Sequence, residues 1–364
     1  MEHFSIAYLL LAFTIGFAAT YISVPQIFTI SVKKKLFDIP DQRKLNKTIV
    51  PNIGGMAIFI GWMFGTLLCL QSYFVQGMQY LLVAILVMFV VGIKDDIVTV
   101  SAYKKLLLQI GAALILVILG DFKITQAYGL LGIYSLNEWF SIPLSIVIVL
   151  YLVNAINFID GIDGLLSCLA IITLLFTGIW FFLSGITGYA IICISLTGCL
   201  FAFLRFNLFR SKYKMFMGDT GSLILGIFLS AMAIHFTNTN QLALERLQFS
   251  YPPLIALALL IIPITDTLRV FFIRIRNKRS PFIPDMNHLH HILIRRGMTH
   301  LAATCFLCVY TIFFIIVACL LSYFKLGINL SVFLLLALSF LTIAVIYTLS
   351  RAPRCSKTIS PKDA

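Results

Sequence analysis

Eleven apolar stretches, each long enough to cross a lipid bilayer, constrain this 364-residue chain more than any other feature. A helix of about 20 apolar residues crosses the roughly 30 Å of hydrocarbon in a bilayer, and it satisfies its own backbone hydrogen bonds there. We therefore predict an all-α polytopic membrane protein with about eleven transmembrane helices. The stretches are 4–30, 53–73, 79–97, 104–120, 140–159, 164–184, 187–206, 219–238, 253–276, 301–323 and 328–350.

The composition agrees with this class and excludes several others. Hydrophobic residues make up 60% of the chain and charged residues 11%, whereas soluble proteins average roughly 45–50% and about 25%. A soluble enzyme, a disordered chain and a nucleic-acid-binding protein are thereby excluded. We predict one integral membrane domain over 1–350 and a basic cytoplasmic tail over 351–364, and we expect no cleavable signal peptide.

The positions of the basic residues predict the orientation in the membrane. Of the 27 Lys and Arg residues, 24 fall in alternate loops and the tail, and only Lys123, Arg246 and Lys325 lie on the other side. Basic residues concentrate in cytoplasmic loops. We therefore predict an N-terminus outside the cytoplasmic membrane and a C-terminus in the cytoplasm.

The 14 acidic residues are also unevenly placed, because ten of them lie on or near the predicted cytoplasmic side. Transporters usually place such groups near the centre of the bilayer, and here only Asp266 approaches that position. The pattern favours chemistry at the membrane surface over passage through the membrane. A multi-span transporter without this chemistry is the alternative.

Two adjacent carboxylates, Asp95 and Asp96, end the third stretch. Neighbouring carboxylates repel each other unless a cation or a donor compensates. One interpretation is a solvated helix end with Lys94 and Lys104 as partners. The functional interpretation is a divalent-cation site or a general base.

Polar residues recur at every third position where the fifth stretch ends: Asn154, Asn157, Asp160 and Asp163. Residues three apart are neighbours on a helix, but the row winds by about 60° per step. Asn157 and Asp160 can therefore share a face, while Asp163 requires the chain to turn at the intervening glycines. A polar helix end with a glycine stop is the simpler alternative, although four polar residues within ten are hard to explain by packing.

The eighth stretch begins at Gly218-Asp219-Thr220-Gly221-Ser222, preceded by Lys212 and Lys214. Helix capping would explain one of these polar residues but not the set. A helix N-terminus rich in small residues suits phosphate oxygens, and Asp219 beside it can carry a metal ion that bridges them.

Three histidines lie together in the longest cytoplasmic loop: His288, His290 and His291, with Asp285 before them and Arg295 after them. Such a cluster is compatible with a transition-metal site. Because the loop has no cysteine and its neighbours are cationic, we expect it to bind substrate anions and not a structural zinc ion.

In four ordered motifs the chain resembles the polyprenyl-phosphate N-acetylhexosamine-1-phosphate transferase superfamily. Its first loop resembles the bacterial undecaprenyl-phosphate N-acetylglucosamine-1-phosphate transferases (the WecA type), although Asn46, Thr99 and Met286 depart from that type. The four motifs are Asp95-Asp96, Asn157-x-x-Asp160-Gly-x-Asp163-Gly, Phe216-x-Gly-Asp219-x-Gly-Ser222 and His288-x-His290-His291, and the first loop carries Asp38-x-Pro40-x-x-Arg43-Lys44 and Pro51-x-x-Gly54-Gly55.

The resemblance implies an enzyme of the bacterial inner membrane with its active site on the cytoplasmic face. Its reaction would move N-acetylglucosamine 1-phosphate from a UDP-sugar to undecaprenyl phosphate and release UMP, as the first membrane step of a surface polysaccharide such as O antigen. A 6-deoxy-N-acetylhexosamine donor is the alternative, and a homodimer in the membrane lipid is compatible with the resemblance.

The resemblance also implies roles for individual residues. Asp95 is a candidate base or an organiser of the lipid phosphate, and Asp266 with Arg269 is interpreted as an intrahelical pair. The remaining assignments are Asp219 and Asn157 for Mg²⁺ (or Mn²⁺ in its place), Asp95, Asp96, Asp160 and Asp163 for catalysis, and Lys104, Asn154, Lys214, His288, His290, His291 and Arg295 for substrate binding.

Overall fold

The computed structural model describes residues 2–34, 36, 50–70, 75–278 and 287–351. Within them lie thirteen α-helices and one two-stranded sheet. The helices are α1 (Glu2–Lys34), α2 (Gly54–Leu70), α3 (Met78–Ile97), α4 (Ala102–Leu114, with a π-helical end over Ile115–Leu119), α5 (Glu138–Ile159), α6 (Leu165–Leu183), α7 (Thr187–Asn207), α8 (Gly218–Thr239), α9 (Pro252–Leu259), α10 (Ile261–Arg276), α11 (Leu289–Arg295), α12 (His300–Tyr323) and α13 (Ile328–Arg351).

Every predicted apolar stretch corresponds to a helix, and the chain is a polytopic membrane protein. Among the described residues, eight helices are long and apolar enough to cross a membrane, and α9 with α10 makes a ninth if that bent pair is one span. The other two stretches correspond to α2, which has only 17 residues, and to α3, which ends in Lys94, Asp95 and Asp96. The predicted number of about eleven is therefore not confirmed, and the orientation stays a prediction.

The helices differ in how far they are enclosed by protein. In α8, 94% of the most apolar segment is buried, whereas the corresponding values for α1 and α13 are 17% and 22%. Side chains of α1 and α13 therefore face the lipid, and α8 lies at the centre of the bundle. This central position matters because the first residues of α8 belong to the site described below.

Glycines bring two helix ends against the start of α8. A Cβ added to Gly92 of α3 would lie 2.3 Å from the Cα of Thr220, and one added to Gly55 of α2 would lie 2.1 Å from the backbone nitrogen of Gly221. No real Cβ contact is so short, so only glycine permits this approach. Gly54 and Gly55 also donate their backbone N–H groups to the carbonyl oxygens of Phe216 and Met217.

One span is broken. Helices α9 and α10 meet at Leu260 at an angle of 73°. Pro263 has no N–H to donate to the carbonyl of Leu259, and its ring would clash with that carbonyl in a continuous helix. The break turns α10, which carries Asp266 and Arg269, away from the line of α9.

A short hairpin adds to the all-α prediction. Strands β1 (Gln126–Leu130) and β2 (Ile133–Ser135) pair antiparallel, with Gln126 opposite Ser135. The hairpin is fastened to α8 because Tyr128 donates its hydroxyl to the carbonyl of Thr237. The sequence interpretation did not include it, since the segment between two spans is too short for a strong alternation of polar and apolar residues.

We expect Gly92→Ala to destabilise the protein. Its added methyl group meets backbone atoms of α8, which cannot move aside, and overpacking of this kind typically costs about 1–3 kcal/mol. The midpoint of thermal unfolding in detergent measures the effect.

Gly111→Ala on α4 is the matched control, because nothing lies within 4 Å of an added Cβ there. Alanine in a helix interior is favoured over glycine by roughly 0.5–1 kcal/mol. The control should therefore unfold at the wild-type midpoint or slightly above it, and equal midpoints for the two variants would contradict the described α3–α8 contact.

Candidate active site

The site is built around the contact between the end of α3 and the start of α8. The Asp96 carboxylate accepts hydrogen bonds from the backbone N–H groups of Asp219 (2.8 Å) and Thr220 (2.9 Å), and from the hydroxyl of Thr220 (2.5 Å). A carboxylate at this place satisfies first-turn donors of α8 and suits the positive end of the helix dipole. Asp96, predicted to be catalytic, is thus engaged with the backbone of a neighbouring helix.

A lysine joins the other carboxylate of the pair to α8. The Nζ atom of Lys105 lies 2.8 Å from Oδ2 of Asp95 and 2.9 Å from Oδ1 of Asp219. The second oxygen of Asp95 accepts the backbone N–H of Val100 at 2.7 Å. One cation therefore lies between two carboxylates from different helices.

Sequence reasoning selected the neighbouring Lys104 and missed Lys105. Lys104 is exposed on α4, whereas the side chain of Lys105 is only 16% exposed. Consecutive residues point about 100° apart on a helix, so only one of the two can face the carboxylates. The rotation of α4 about its axis, which decides which lysine faces the carboxylates, is the signal that distinguishes them.

Asn157 completes the arrangement from α5. Its amide nitrogen donates to Oδ1 of Asp219 at 2.5 Å and to the hydroxyl of Ser222 at 2.7 Å. The end of α5 is thereby fixed to the first turn of α8, and Asn157 and Asp219, the predicted metal pair, are in direct contact.

The carboxylates of Asp95 and Asp219 with the amide of Asn157 suit a hard divalent cation. Mg²⁺ typically uses one or two protein carboxylates and completes its shell with water and substrate phosphates. Lys105 already places a positive charge between these carboxylates. Within the part of the chain that the structure describes, no group of three or more His, Cys, Asp or Glu residues is arranged to hold a metal ion by itself.

Asp160 follows the last residue of α5 and, among the described residues, has no cation beside it, unlike Asp95, Asp219 and Asp163. Its pKa is raised to about 8, chiefly by burial and then by the nearby carboxylates of Asp219, Asp96 and Asp163. Three negative neighbours and a poorly solvated environment all disfavour the ionised form. Asp160 is therefore a carboxyl group that a cation would ionise on arrival.

Asp163, by contrast, is a carboxylate with a cation beside it. Its Oδ2 lies 2.6 Å from Nζ of Lys214 and 3.2 Å from Nδ1 of His300. Burial opposes ionisation, but the hydrogen bonds from His300 and Lys214 lower the pKa of Asp163 below its ordinary value. Gly164 with φ +78° makes the turn that the sequence predicted, and the structure brings Lys214 to this carboxylate.

Two of the three histidines are buried beside the Asp160 turn. A Cβ added to Gly161 would lie 2.1 Å from Nε2 of His290, so the imidazole packs directly on the glycine backbone. Burial, followed by the nearby His291 and His288, holds the pKa of His290 well below its ordinary value, and its ring is neutral. Nε2 of His290 is buried and has no hydrogen-bond partner among the described residues.

Three predicted substrate-binding residues are not brought into this cluster, and the exposed Lys104 is the first of them. Asn154 exchanges hydrogen bonds with Gln109 on α4 and donates to the carbonyl of Leu150, so it joins α5 to α4. Arg295 is exposed at the end of α11. The first-loop motif Asp38–Lys44, Asn46, Asp285, Met286 and the tail beyond residue 351 lie outside the described residues.

Comparisons with known proteins agree with the motifs. Residues 78–237, which include every carboxylate described above, match the family described as "Glycosyl transferase family 4". A Bacillus subtilis protein named "Probable undecaprenyl-phosphate N-acetylglucosaminyl 1-phosphate transferase" is 32% identical over 303 residues, or 80% of this chain and 79% of that protein. The "Undecaprenyl-phosphate alpha-N-acetylglucosaminyl 1-phosphate transferase" of Escherichia coli (strain K12) is 29% identical, over 75% of this chain and 73% of that protein. Its counterpart from Salmonella typhi is 28% identical over 74% and 72%.

The raised pKa of Asp160 leads to a prediction about stability. In the unfolded chain this carboxyl ionises near its ordinary value of about 4, whereas in the fold its pKa is about 8. The folded state therefore holds one proton more between these values, and ionisation of Asp160 lowers stability as the pH rises through that window. We expect Asp160→Asn to unfold at a higher temperature than wild type at pH 9, with the difference vanishing near pH 4.

Thermal unfolding in detergent with a chelator, recorded across this pH range, provides the measurement. Glu245→Gln is the control, because Glu245 is exposed on the far side of the bundle. A difference between Asp160→Asn and wild type that does not change with pH would contradict the assigned environment.

Proposed function

We propose, on the premise that this chain belongs to glycosyl transferase family 4, that it transfers N-acetylglucosamine 1-phosphate from UDP-N-acetylglucosamine to undecaprenyl phosphate. The products are UMP and the lipid-linked sugar diphosphate. The names of its relatives support both substrates. The single observation that carries the proposal is the convergence of Asp95, Lys105 and Asp219 at the joined ends of α3, α4 and α8.

The reaction makes one P–O bond and breaks another. An oxygen of the lipid phosphate attacks the phosphorus that bears the sugar, and the bond from that phosphorus to the UMP oxygen breaks. Both partners are anions, so neutralisation of charge and positioning are the main requirements of such a transfer. Lys105 supplies a positive charge at the centre of the site. His288, His290 and His291 form a histidine row that lines the Asp160 turn.

Asp95 is best explained as an organiser of the site and not as a general base. A phosphomonoester has a second pKa of about 6 and is largely dianionic at pH 7, so the attacking oxygen needs no proton removed. Both oxygens of Asp95 are already engaged, by Val100 and by Lys105. Its role is to hold Lys105 in place beside Asp219.

Asp219 and Asn157 are the residues that would hold Mg²⁺, or Mn²⁺ in its place, with the Asp95 carboxylate beside them. Such a cation, when bound, neutralises diphosphate charge. Asp160 ionises most readily when positive charge enters the site, and Asp163 keeps Lys214 at the edge of the same turn. Asp96 contributes by fixing the start of α8, to which Asp219 belongs.

The ends of α3 and α5 and the start of α8 lie on the side that the basic residues assign to the cytoplasm. We infer that the active site opens to the cytoplasmic face of the bacterial inner membrane, where nucleotide sugars are made. The reaction would be the first membrane step of a surface polysaccharide such as O antigen. A 6-deoxy-N-acetylhexosamine is the competing donor.

Transfer by the purified protein tests the proposal directly. We expect UMP release that requires both undecaprenyl phosphate and UDP-N-acetylglucosamine, with one lipid-linked sugar formed for each UMP. A site that pairs a sugar hydroxyl can reject the donor that lacks it by up to about 10⁴–10⁵. A tenfold preference for the 6-deoxy donor would reassign the sugar, and movement of either substrate without UMP release would identify a transporter.

Asp219→Asn should lower the rate of transfer by at least about 100-fold, since loss of one electrostatic stabiliser typically costs 10²–10³ in rate. Wild-type activity should be lost with a chelator and restored by Mg²⁺. Rates across a Mg²⁺ titration measure both effects. Near wild-type turnover by a folded Asp219→Asn protein would remove this residue from the proposed cation set.

The two adjacent lysines provide a matched pair. Lys105→Gln removes the cation between Asp95 and Asp219, and we expect kcat to fall by about 100-fold on the same grounds. Lys104→Gln changes an exposed charge and should stay within about twofold of wild type. Equal losses for the two variants would show that only the total charge of α4 matters.

A further inference from the structure

A buried carboxylate outside the cluster described above lies on the broken span. Asp266 is fully buried on α10, just after the bend that Pro263 imposes. An isolated carboxylate is not tolerated there, because removing it from water costs several kcal/mol unless a cation and donors compensate. Its surroundings therefore have to be specific.

Four donors fill both oxygens of Asp266. Arg269, one turn along α10, donates from Nε (3.2 Å) and Nη2 (2.6 Å) to Oδ1. The other oxygen, Oδ2, lies 3.0 Å from Nδ1 of His288 and accepts the backbone N–H of Leu289 at 3.0 Å. Asp266 and Arg269 are therefore more than the intrahelical pair that the sequence suggested.

Asp266 and Arg269 together contact three consecutive residues, Asn287, His288 and Leu289, which we call the histidine segment. Nη2 of Arg269 also donates to the carbonyl of Asn287 at 2.5 Å, next to the His288 and Leu289 contacts. All three contacts are made from one side by α10. The entry into α11 is thereby fixed relative to the broken span.

The contact also determines which nitrogen of His288 carries a proton. An ionised carboxylate only accepts hydrogen bonds, so Nδ1 must be the protonated nitrogen in the neutral ring. Nε2 is then left as the acceptor, and as a second donor if the ring gains a proton. A partner on one ring nitrogen sets the tautomer and the ring orientation in this way.

The fixed ring of His288 continues into the site. It lies parallel to the ring of His290, at 7° and 5.9 Å between centroids, and His290 packs on Gly161 beside Asp160. Phe158, next to Asn157, contacts the His288 ring at 5.7 Å. A change in the orientation of His288 would therefore reach the turn that carries Asp160.

We propose that Asp266 is a positioning residue, which fixes the Nδ1-protonated form and the ring orientation of His288 and so seats the histidine row against the Asp160–Gly161 turn. This inference rests on the proposed function for its kinetic consequences. The tautomer itself is a structural property, and it can be measured whether or not the protein transfers a sugar phosphate.

The first test therefore uses the wild-type protein. In ¹⁵N-histidine-labelled protein in lipid nanodiscs at pH 9, the His288 signals are assigned by their loss in His288→Asn. We expect Nδ1 to carry a proton. An unprotonated Nδ1 at His288 would overturn the proposal, and this result needs no variant of Asp266 that folds and no activity.

The second test is kinetic and uses a double-mutant cycle. In the wild-type protein, donors approach both carboxylate oxygens of Asp266, and Asp266→Asn leaves only one acceptor oxygen for them. We expect kcat/KM for the UDP-sugar to fall about 10- to 100-fold, as for other residues that orient a histidine. Because Asp266 acts through His288, the substitution should cost nothing further in a His288→Ala background.

Asp121→Asn is the matched control, because Asp121 is exposed and pairs with Lys123 at the other end of the bundle. It should retain wild-type kcat/KM. Multiplicative losses in the cycle, with thermal midpoints unchanged, would show that Asp266 acts independently of His288 and would overturn the proposal. An inactive wild-type protein with a protonated Nδ1 would instead count against the proposed function alone.

Discussion

The attachment of Asp96 to the first turn of α8 is the interaction on which the rest of the site depends. Hydrogen bonds to both oxygens of this carboxylate join α3 to α8, and Gly92 permits the backbones to approach closely enough for them to form. Among the described spans α8 is the most enclosed, and the other helix ends of the site pack against its N-terminus. This contact also determines the position of Asp95, because Asp95 precedes Asp96 in α3 and therefore lies at the same place.

The carboxylates of the site are separated by what surrounds each of them. Asp96 accepts backbone N–H groups, Asp95 and Asp219 share Lys105, and Asp163 is paired with Lys214. Asp160 has no such cation among the described residues, and burial beside negative neighbours raises its pKa to about 8. The proposed binding of an anionic diphosphate together with a cation would benefit from this arrangement, because the charge on Asp160 can adjust to what is bound.

The broken span provides a second fixed point on the opposite side of the site. Pro263 interrupts the helix, and the bend directs α10 toward the histidine segment. Asp266 and Arg269 form hydrogen bonds with the start of α11, as Asp96 does with the start of α8. In both places a carboxylate on one helix, partly buried at Asp96 and fully buried at Asp266, accepts backbone N–H groups of another, which fixes the second helix more firmly than apolar contact alone.

Hydropathy and spacing alone determined the membrane class, the helical stretches and the motifs, because each of these depends on residues close together in the chain. The Asn157–Asp163 row and the Gly164 turn were predictable for the same reason. Only the tertiary structure decided that Lys105 and not Lys104 faces the carboxylates, that Asn154 pairs with Gln109, and that Asp96 supports α8. Those outcomes depend on the rotation and approach of helices that are distant in sequence, and a polar side chain bonds to whichever partner that packing presents.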